Sequence, residues 1–400
     1  MCTAIRYRGL AGRTLDLEHS FAEEVVITPR NYMREFVFEG EILSKYALVG
    51  MAYVHLGVPL YYDAVSEAGL YMAALNFPNC ARYHEARAGA INLASAELIP
   101  YILENSGSLA EAKEVLKRVN ITPHSISESL PSTPLHWFLA DGRESLSIEP
   151  TEKGLEITEN PFGVLTNAPN FTYHTTRLAD FLHLSPTQPE NKREKWQGVS
   201  PYSRGMGAVG LPGDYSSTSR FVRAAFLAEN VRVFDGNSPQ NREKCEKIGV
   251  EAPQLLKRIL SSLHDIVLLH KDAEKETDIS NLSSKCSPHL SIKNGDSADN
   301  NFTSEQKYSE NSSENSTNKE ITTFFHVTDS LAVPYGTVLT DEGRAVYTVY
   351  TSCADLMGGV YYFTTYNCRT PHAVTLTEDR KAASQIIRFP LPSSEKIVIE

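Results

Sequence analysis

The sequence predicts an α+β layered fold, and three observations carry that prediction. Short segments of period-2 hydrophobic alternation, separated by turn residues, fill most of the stretch from Met1 to about Val233. Helical patterns occur among them, but without the regular strand–helix–strand rhythm of a parallel sheet. Strand-like runs (FFHV, AVYTVYTS, GVYYFTTYN) then return beyond a polar segment of different composition.

Taken in order, the first element is a strand. Cys2, Ala4, Arg6 and Arg8 alternate with Thr3, Ile5 and Tyr7, which suits a half-buried strand ending at Gly9. SLAEAKEVLKRVN reads as a helix, with Ser108 and Glu111 as a capping box and Leu109, Ala112, Leu116 and Val119 on one face. LHWFLADGRESLSIEPTEKGLEIT reads as successive strands, turned at Asp141-Gly142 and again at Lys153-Gly154. GDYSSTSRFVRAAF opens a helix after Asp214 with Arg220 in its first turns, where arginine ordinarily faces solvent. The spacing of Leu255, Leu256, Ile259, Leu260, Leu263 and Ile266 predicts a helix over 253–270. Residues 280–320 are dominated by Ser and Asn and hold too little apolar surface to offset their ordering entropy, so disorder is expected there. The expected organisation is one domain over 1–400, interrupted by an insertion at about 235–322.

Composition excludes several classes of function. The formal net charge is −11 and no Lys/Arg cluster stands out, so nucleic acid and anionic membrane are poor partners. No run is apolar enough to cross a bilayer as a helix, and Arg6, Arg8, Arg13 and Asp16 interrupt any secretory leader. A cytoplasmic protein is expected, with Cys2, Cys80, Cys245, Cys286, Cys353 and Cys368 as free thiols. Those cysteines have no metal-ligand spacing, and no metal or organic cofactor is implied. GMGAVG at 205–210 matches the dinucleotide fingerprint by letters, but Pro212-Gly213 would break the helix that must follow, so an irregular loop is expected. HEAR at His84 lacks the second histidine of a zinc helix.

Chemistry gathers instead around MCTAIRYRG. Cys2 is open to two readings: a small apolar residue, or the N-terminal residue itself once Met1 is removed. In the second case one residue supplies a thiol nucleophile and an α-amine of pKa near ~8, a usable base at neutral pH. In GRTLDLE, Arg13 would favour the thiolate and Asp16 would hold the α-ammonium, unless the two form an ordinary surface pair. Asn76 in ALNFPN and Asn167 in VLTNAPNF end apolar runs; an amide there can donate to a developing oxyanion or simply shape a turn.

Together, MCTAI, GRTLDLE, VVITPRNY, ALNFPN, VLTNAPNF, LSPTQPENK, YSRGMGAVGLPGDYSSTSRFVRAAF and YTVYTSCAD resemble the choloylglycine hydrolase family, in the same order. This family of N-terminal nucleophile hydrolases includes bile salt hydrolases and penicillin V acylases. The resemblance covers roughly 1–235 and 323–390 and implies the four-layer αββα sandwich of two antiparallel sheets between helix layers. It implies Cys2 as the nucleophile freed by loss of Met1, Arg13 and Asp16 beside it, Asn76 and Asn167 at the oxyanion positions, and Arg220 completing the site. Asn76 within LNFP looks like the bile salt branch, whereas penicillin V acylases tend to carry Tyr; LSPTQPENK resembles a segment used in tetramer assembly. The implied substrate is a linear amide, a conjugated bile salt, or alternatively penicillin V or another N-acyl amide. A non-catalytic binding protein on the same fold is the reading from another class. One departure is NFTYH, which supplies Thr172-Tyr173 where family members carry an acidic–aromatic pair. The insertion is a second departure. The acyl-binding rim falls to loops around Phe21, Leu60 and Leu130.

Overall fold

The computed structural model describes residues 1–128, 130–233 and 305–395, with 305–316 as backbone alone. The chain opens as a hairpin of β1 (Cys2–Tyr7) and β2 (Leu10–Leu17), with Arg8 left-handed at the turn (φ 56°). After β3 (Glu24–Thr28) and a small hairpin, β4 (Met33–Phe36) and β5 (Gly40–Leu43), come β6 (Leu48–His55), β7 (Val58–Ser66) and β8 (Tyr71–Asn76). Two short parallel strands, β9 (Ile91–Ala94) and β10 (Val119–Thr122), flank helices α1 (Leu98–Asn105) and α2 (Leu109–Leu116). A meander of β11 (Leu135–Ala140), β12 (Ser145–Thr151) and β13 (Gly154–Glu159) leads to β14 (Val164–Leu165). Helices α3 (Phe171–Arg177), α4 (Ser217–Asn230) and α5 (Glu305–Asp329) precede β15 (Val338–Leu339), β16 (Ala345–Asp355), β17 (Val360–Thr365), β18 (His372–Thr375) and β19 (Ile387–Pro390).

The strands assemble into two large antiparallel sheets. One runs β14-β1-β2-β16-β17-β18 with β15 on β16; the other runs β13-β12-β11-β8-β7-β6-β3-β19. Alternation sorts each strand between two cores. Val25 and Ile27 face a core shared with β1, β2 and β16, while Val26 between them faces Leu98, Ile102 and Leu116 of α1 and α2. Phe221 and Ala224 of α4, with Phe324 and Val327 of α5, pack on the β1 sheet. Helix, sheet, sheet, helix is the expected αββα order.

Local readings fare unevenly. β1 is buried on both faces, not half-buried, because helices cover the side that alternation assigns to solvent. Ser108 caps α2 by accepting from Glu111 N–H at 3.2 Å, but Glu111 reaches back to Gly107 N–H (2.6 Å), one residue short of a full capping box. Val119 leaves the helix for β10. FFHV is helical: Ile321, Phe324, Phe325 and Thr328 are all buried at helix spacing, and a short apolar run does not by itself distinguish strand from buried helix. GMGAVG is an irregular loop with a single turn of 3₁₀ helix at Met206–Ala208. The helix expected over 253–270, Cys245, Cys286 and the Ser/Asn-rich stretch to 304 lie outside the described residues; from 305 the backbone is that of α5. The chain divides into two units, Met1–Arg232 with Asn318–Glu400, and Val233–Thr317; both sheets belong to the first. Among the described residues no helix is long and apolar enough to cross a membrane.

Candidate active site

The site is built where β1 begins. Cys2 opens that strand and is almost wholly buried. Its backbone N–H, the nitrogen that becomes the α-amine if Met1 is lost, donates to Asn167 Oδ1 at 2.6 Å. Arg220 meets the same two residues from α4: Nη2 donates to Asn167 Oδ1 (2.8 Å), and Nη1 to Cys2 O and to Thr3 Oγ1 (2.6 Å). The serine run sets this up, since Ser216 caps α4 and the first turn then aims Arg220 inward at 0% exposure. A solvent-facing arginine is therefore the wrong reading. Burial pulls its pKa down, while Asp16 and Cys2 oppose that by their charge.

Asn167 is fixed from both ends. Nδ2 donates to Asn76 O (2.7 Å), and its own carbonyl accepts from Ser217 Oγ (2.8 Å) and from His174 Nε2 (2.8 Å). A carbonyl acceptor requires the proton on Nε2, so the buried His174 is held neutral as a donor, and its ring stacks on Phe221 (4.9 Å, 14°) beside Arg220. Burial lowers its pKa, consistent with a neutral ring. Asn76 ends β8 with its residue surface exposed, and its backbone hydrogen-bonds the Cys2 thiol. A main-chain N–H, not the amide expected from the sequence, is what Asn76 turns towards the nucleophile.

Arg13 and Asp16 lie on β2, directly beside β1, and both are fully buried. Arg13 Nη1 donates to Tyr62 O (3.0 Å) and Ala74 O (2.5 Å), Nε to Thr14 O (3.3 Å), and Nη2 is buried with no hydrogen-bond partner. The Asp16 carboxylate accepts from Thr348 Oγ1 (2.7 Å) and Thr14 Oγ1 (3.4 Å), while its backbone carbonyl accepts from the Met1 ammonium (2.6 Å). With Met1 present, the ammonium thus rests on the Asp16 main chain and not on its carboxylate. Burial pushes the Cys2 thiol pKa up and Asp16 adds to that. Arg13, the N-terminal ammonium and the Asn76 backbone bond outweigh both, so the net shift is downward.

All six residues singled out from the sequence therefore converge, although Cys2 and Arg220 are 218 positions apart. Sequence reading missed His174, Ser217 and Asp63. Asp63 was visible as a lone carboxylate inside the apolar run LYYDAV, and His174 closes the NFTYH segment already noted for its departure. The four described cysteines, Cys2, Cys80, Cys353 and Cys368, are free thiols. A groove of about 980 Å³ lies at the other end of β1, against Arg6, Arg8 and Phe226, and includes none of the six.

A family model, linear amide C-N hydrolases of the choloylglycine hydrolase family, matches residues 2–243 and 300–387. The chain belongs to the choloylglycine hydrolase family. It is 33% identical over 396 residues to a bile salt hydrolase/transferase of Lactiplantibacillus plantarum, covering 98% of each chain. A bile salt hydrolase/transferase of Clostridium perfringens is 28% identical over 394 residues, 96% of this chain and 95% of that one. The crystal structure of a conjugated bile acid hydrolase from Clostridium perfringens superposes with a TM-score of 0.73 at 26% identity, covering 100% of this chain and 99% of that chain. Penicillin V acylase from Agrobacterium tumefaciens shares the fold, with a TM-score of 0.61 at 18% identity over 97% of this chain and 91% of that one.

Proposed function

We propose that this choloylglycine hydrolase family member cleaves the amide bond of glycine- or taurine-conjugated bile salts, with Cys2 as an N-terminal nucleophile after Met1 is removed. One observation carries the reading: Cys2 N, Asn167 Oδ1 and Arg220 form a single buried hydrogen-bonded unit against a thiol whose pKa is lowered. The full-length relatives named for bile salt hydrolysis support the substrate class.

The chemistry follows from those positions. The Cys2 thiolate attacks the amide carbon, and the carbonyl π pair moves to oxygen. The Asn76 N–H and Asn167 Nδ2 are the donors for that oxyanion, Nδ2 exchanging the Asn76 carbonyl for it. Collapse breaks the C–N bond, and the Cys2 α-ammonium, held on Asn167 Oδ1, gives its proton to the leaving amine. The α-amine then takes a proton from water, whose oxygen attacks the thioester, releasing free bile acid and regenerating the thiolate.

Intact mass of the purified protein should lack one methionine. Cys2→Ala should abolish hydrolysis of glycocholate and taurocholate with an unchanged circular dichroism spectrum, and the parent should turn these over with higher kcat/KM than penicillin V. Active enzyme that retains Met1 would exclude the N-terminal base; faster turnover of penicillin V would move the protein to the acylase branch. A cytoplasmic location fits the free thiols, and fractionation of the producing cell tests it. A homotetramer fits the apolar side chains left exposed along 182–209, namely Leu182, Trp196, Val199, Tyr202 and Val209.

A further inference from the structure

We propose that Asp63 is the buried counter-charge of Arg13, a positioning residue that sets how strongly the guanidinium acts on the Cys2 thiol. The inference rests on Cys2 being the nucleophile. Asp63 sits on β7 at 0% exposure, and four hydroxyls converge on its carboxylate. Tyr71 (3.0 Å), Ser352 (2.8 Å) and Tyr361 (2.8 Å) donate to Oδ2, and Tyr350 (2.5 Å) donates to Oδ1. A carboxylate in its ionised form is acceptor only, which is what such a cage of donors suits. Ser352 also accepts from the Arg13 backbone N–H at 3.2 Å, so its own proton is directed to Asp63.

The same pair of strands clamps the Arg13 side chain. Its two carbonyl partners are Tyr62 O, next to Asp63 in the chain, and Ala74 O, next to Ala73, the residue that faces Asp63 across the β7–β8 ladder. The groups acting on Arg13 by charge are Cys2, Tyr350, Asp63 and Tyr71; those acting on Cys2 are Arg13, the N-terminal ammonium and Asp16. Asp63 therefore reaches the thiol through Arg13 alone. Burial pushes its carboxyl pKa up, against the pull of Arg13 and the hydroxyls.

Asp63→Asn keeps the shape and removes the charge, leaving the pull of Arg13 on the thiolate less balanced. The acid limb of kcat/KM for glycocholate should then move to lower pH by at least about half a unit, as one buried charge at an effective dielectric of about 20 would require. Because a thiolate of lower pKa is a weaker nucleophile, kcat should fall roughly tenfold while KM stays within about twofold. Alkylation of Cys2 by iodoacetamide, followed on the N-terminal peptide by mass spectrometry, should show the same downward shift without any substrate. Tyr350→Phe, which removes one donor to Asp63, should move both profiles in the same direction by less, and serves if Asp63→Asn does not fold. An acid limb and an alkylation profile that stay in place in a folded variant would overturn the proposal, even if activity or stability fell. A parent protein whose Cys2 shows no low-pH alkylation would instead sink the nucleophile assignment.

Discussion

Cys2 combines a buried thiol with a lowered pKa, two properties that ordinarily oppose one another. Burial alone raises a thiol pKa, as Cys353 shows: it is fully buried on the neighbouring β16, has no cation beside it, and its pKa is pushed well up. What separates the two is chiefly Arg13. Arg13→Gln keeps a donor for Tyr62 O or Ala74 O but removes the charge. The Cys2 pKa should then rise, because burial and Asp16 act unopposed by the guanidinium. The pH at which iodoacetamide alkylation reaches half its plateau should move upward, and hydrolysis near neutral pH should fall with the thiolate fraction. An unchanged profile would mean that the N-terminal ammonium alone sets the thiol.

The pairing of β2 between β1 and β16 is the element that places Arg13 and Asp16. Gly12, directly before Arg13, lies opposite Ile5 on one side and Cys353 on the other. A Cβ built there would sit 2.0 Å from Ser352 O and 2.9 Å from Cys353 Cα, both backbone atoms that cannot rotate away. Gly12→Ala should therefore force β2 and β16 apart, costing about 1–3 kcal/mol or more by overpacking. Thermal unfolding should record a lower Tm, and the displaced Arg13 should lower kcat as well. A Tm equal to the parent's would show that the ladder opens without strain. The catalytic arginine on α4 depends on a different device, a serine cap that fixes where the helix starts and so which residue points inward.

At the scale of the whole molecule, the six site residues and both sheets lie within Met1–Arg232 and Asn318–Glu400. We propose that residues 236–302 form an insertion dispensable for the chemistry. Replacing them with a flexible Gly/Ser linker of about 20 residues, long enough to span tens of ångströms, should leave kcat within about twofold of the parent. A deletion variant that folds but has lost hydrolysis would place the segment in the cleft. Light scattering coupled to gel filtration tests the tetramer independently: four times 44.4 kDa is expected for the parent. A monomeric mass would leave the exposed apolar side chains of 182–209 to another purpose.

Local chemistry was legible from the sequence. Alternation and turn residues marked most strands, the Ser108 and Ser216 caps marked two helix starts, and the family motifs carried the αββα order and all six site positions. Burial was not legible at β1, FFHV or Arg220. Period-2 alternation reports which residues share a face, not whether a helix layer covers that face, and a short apolar run fits strand and buried helix equally. Nor was the environment of the thiol legible. Asp63 meets Tyr350, Ser352 and Tyr361 across sequence gaps of 287 to 298 residues, and His174 acts on Asn167 by turning back over its own loop. Such contacts exist only once two sheets are stacked. The residue types at the site follow from the sequence, whereas the charge balance around the thiol was decided by tertiary packing, because a charge in a low-dielectric core acts through its distance to other charges and not through its place in the chain.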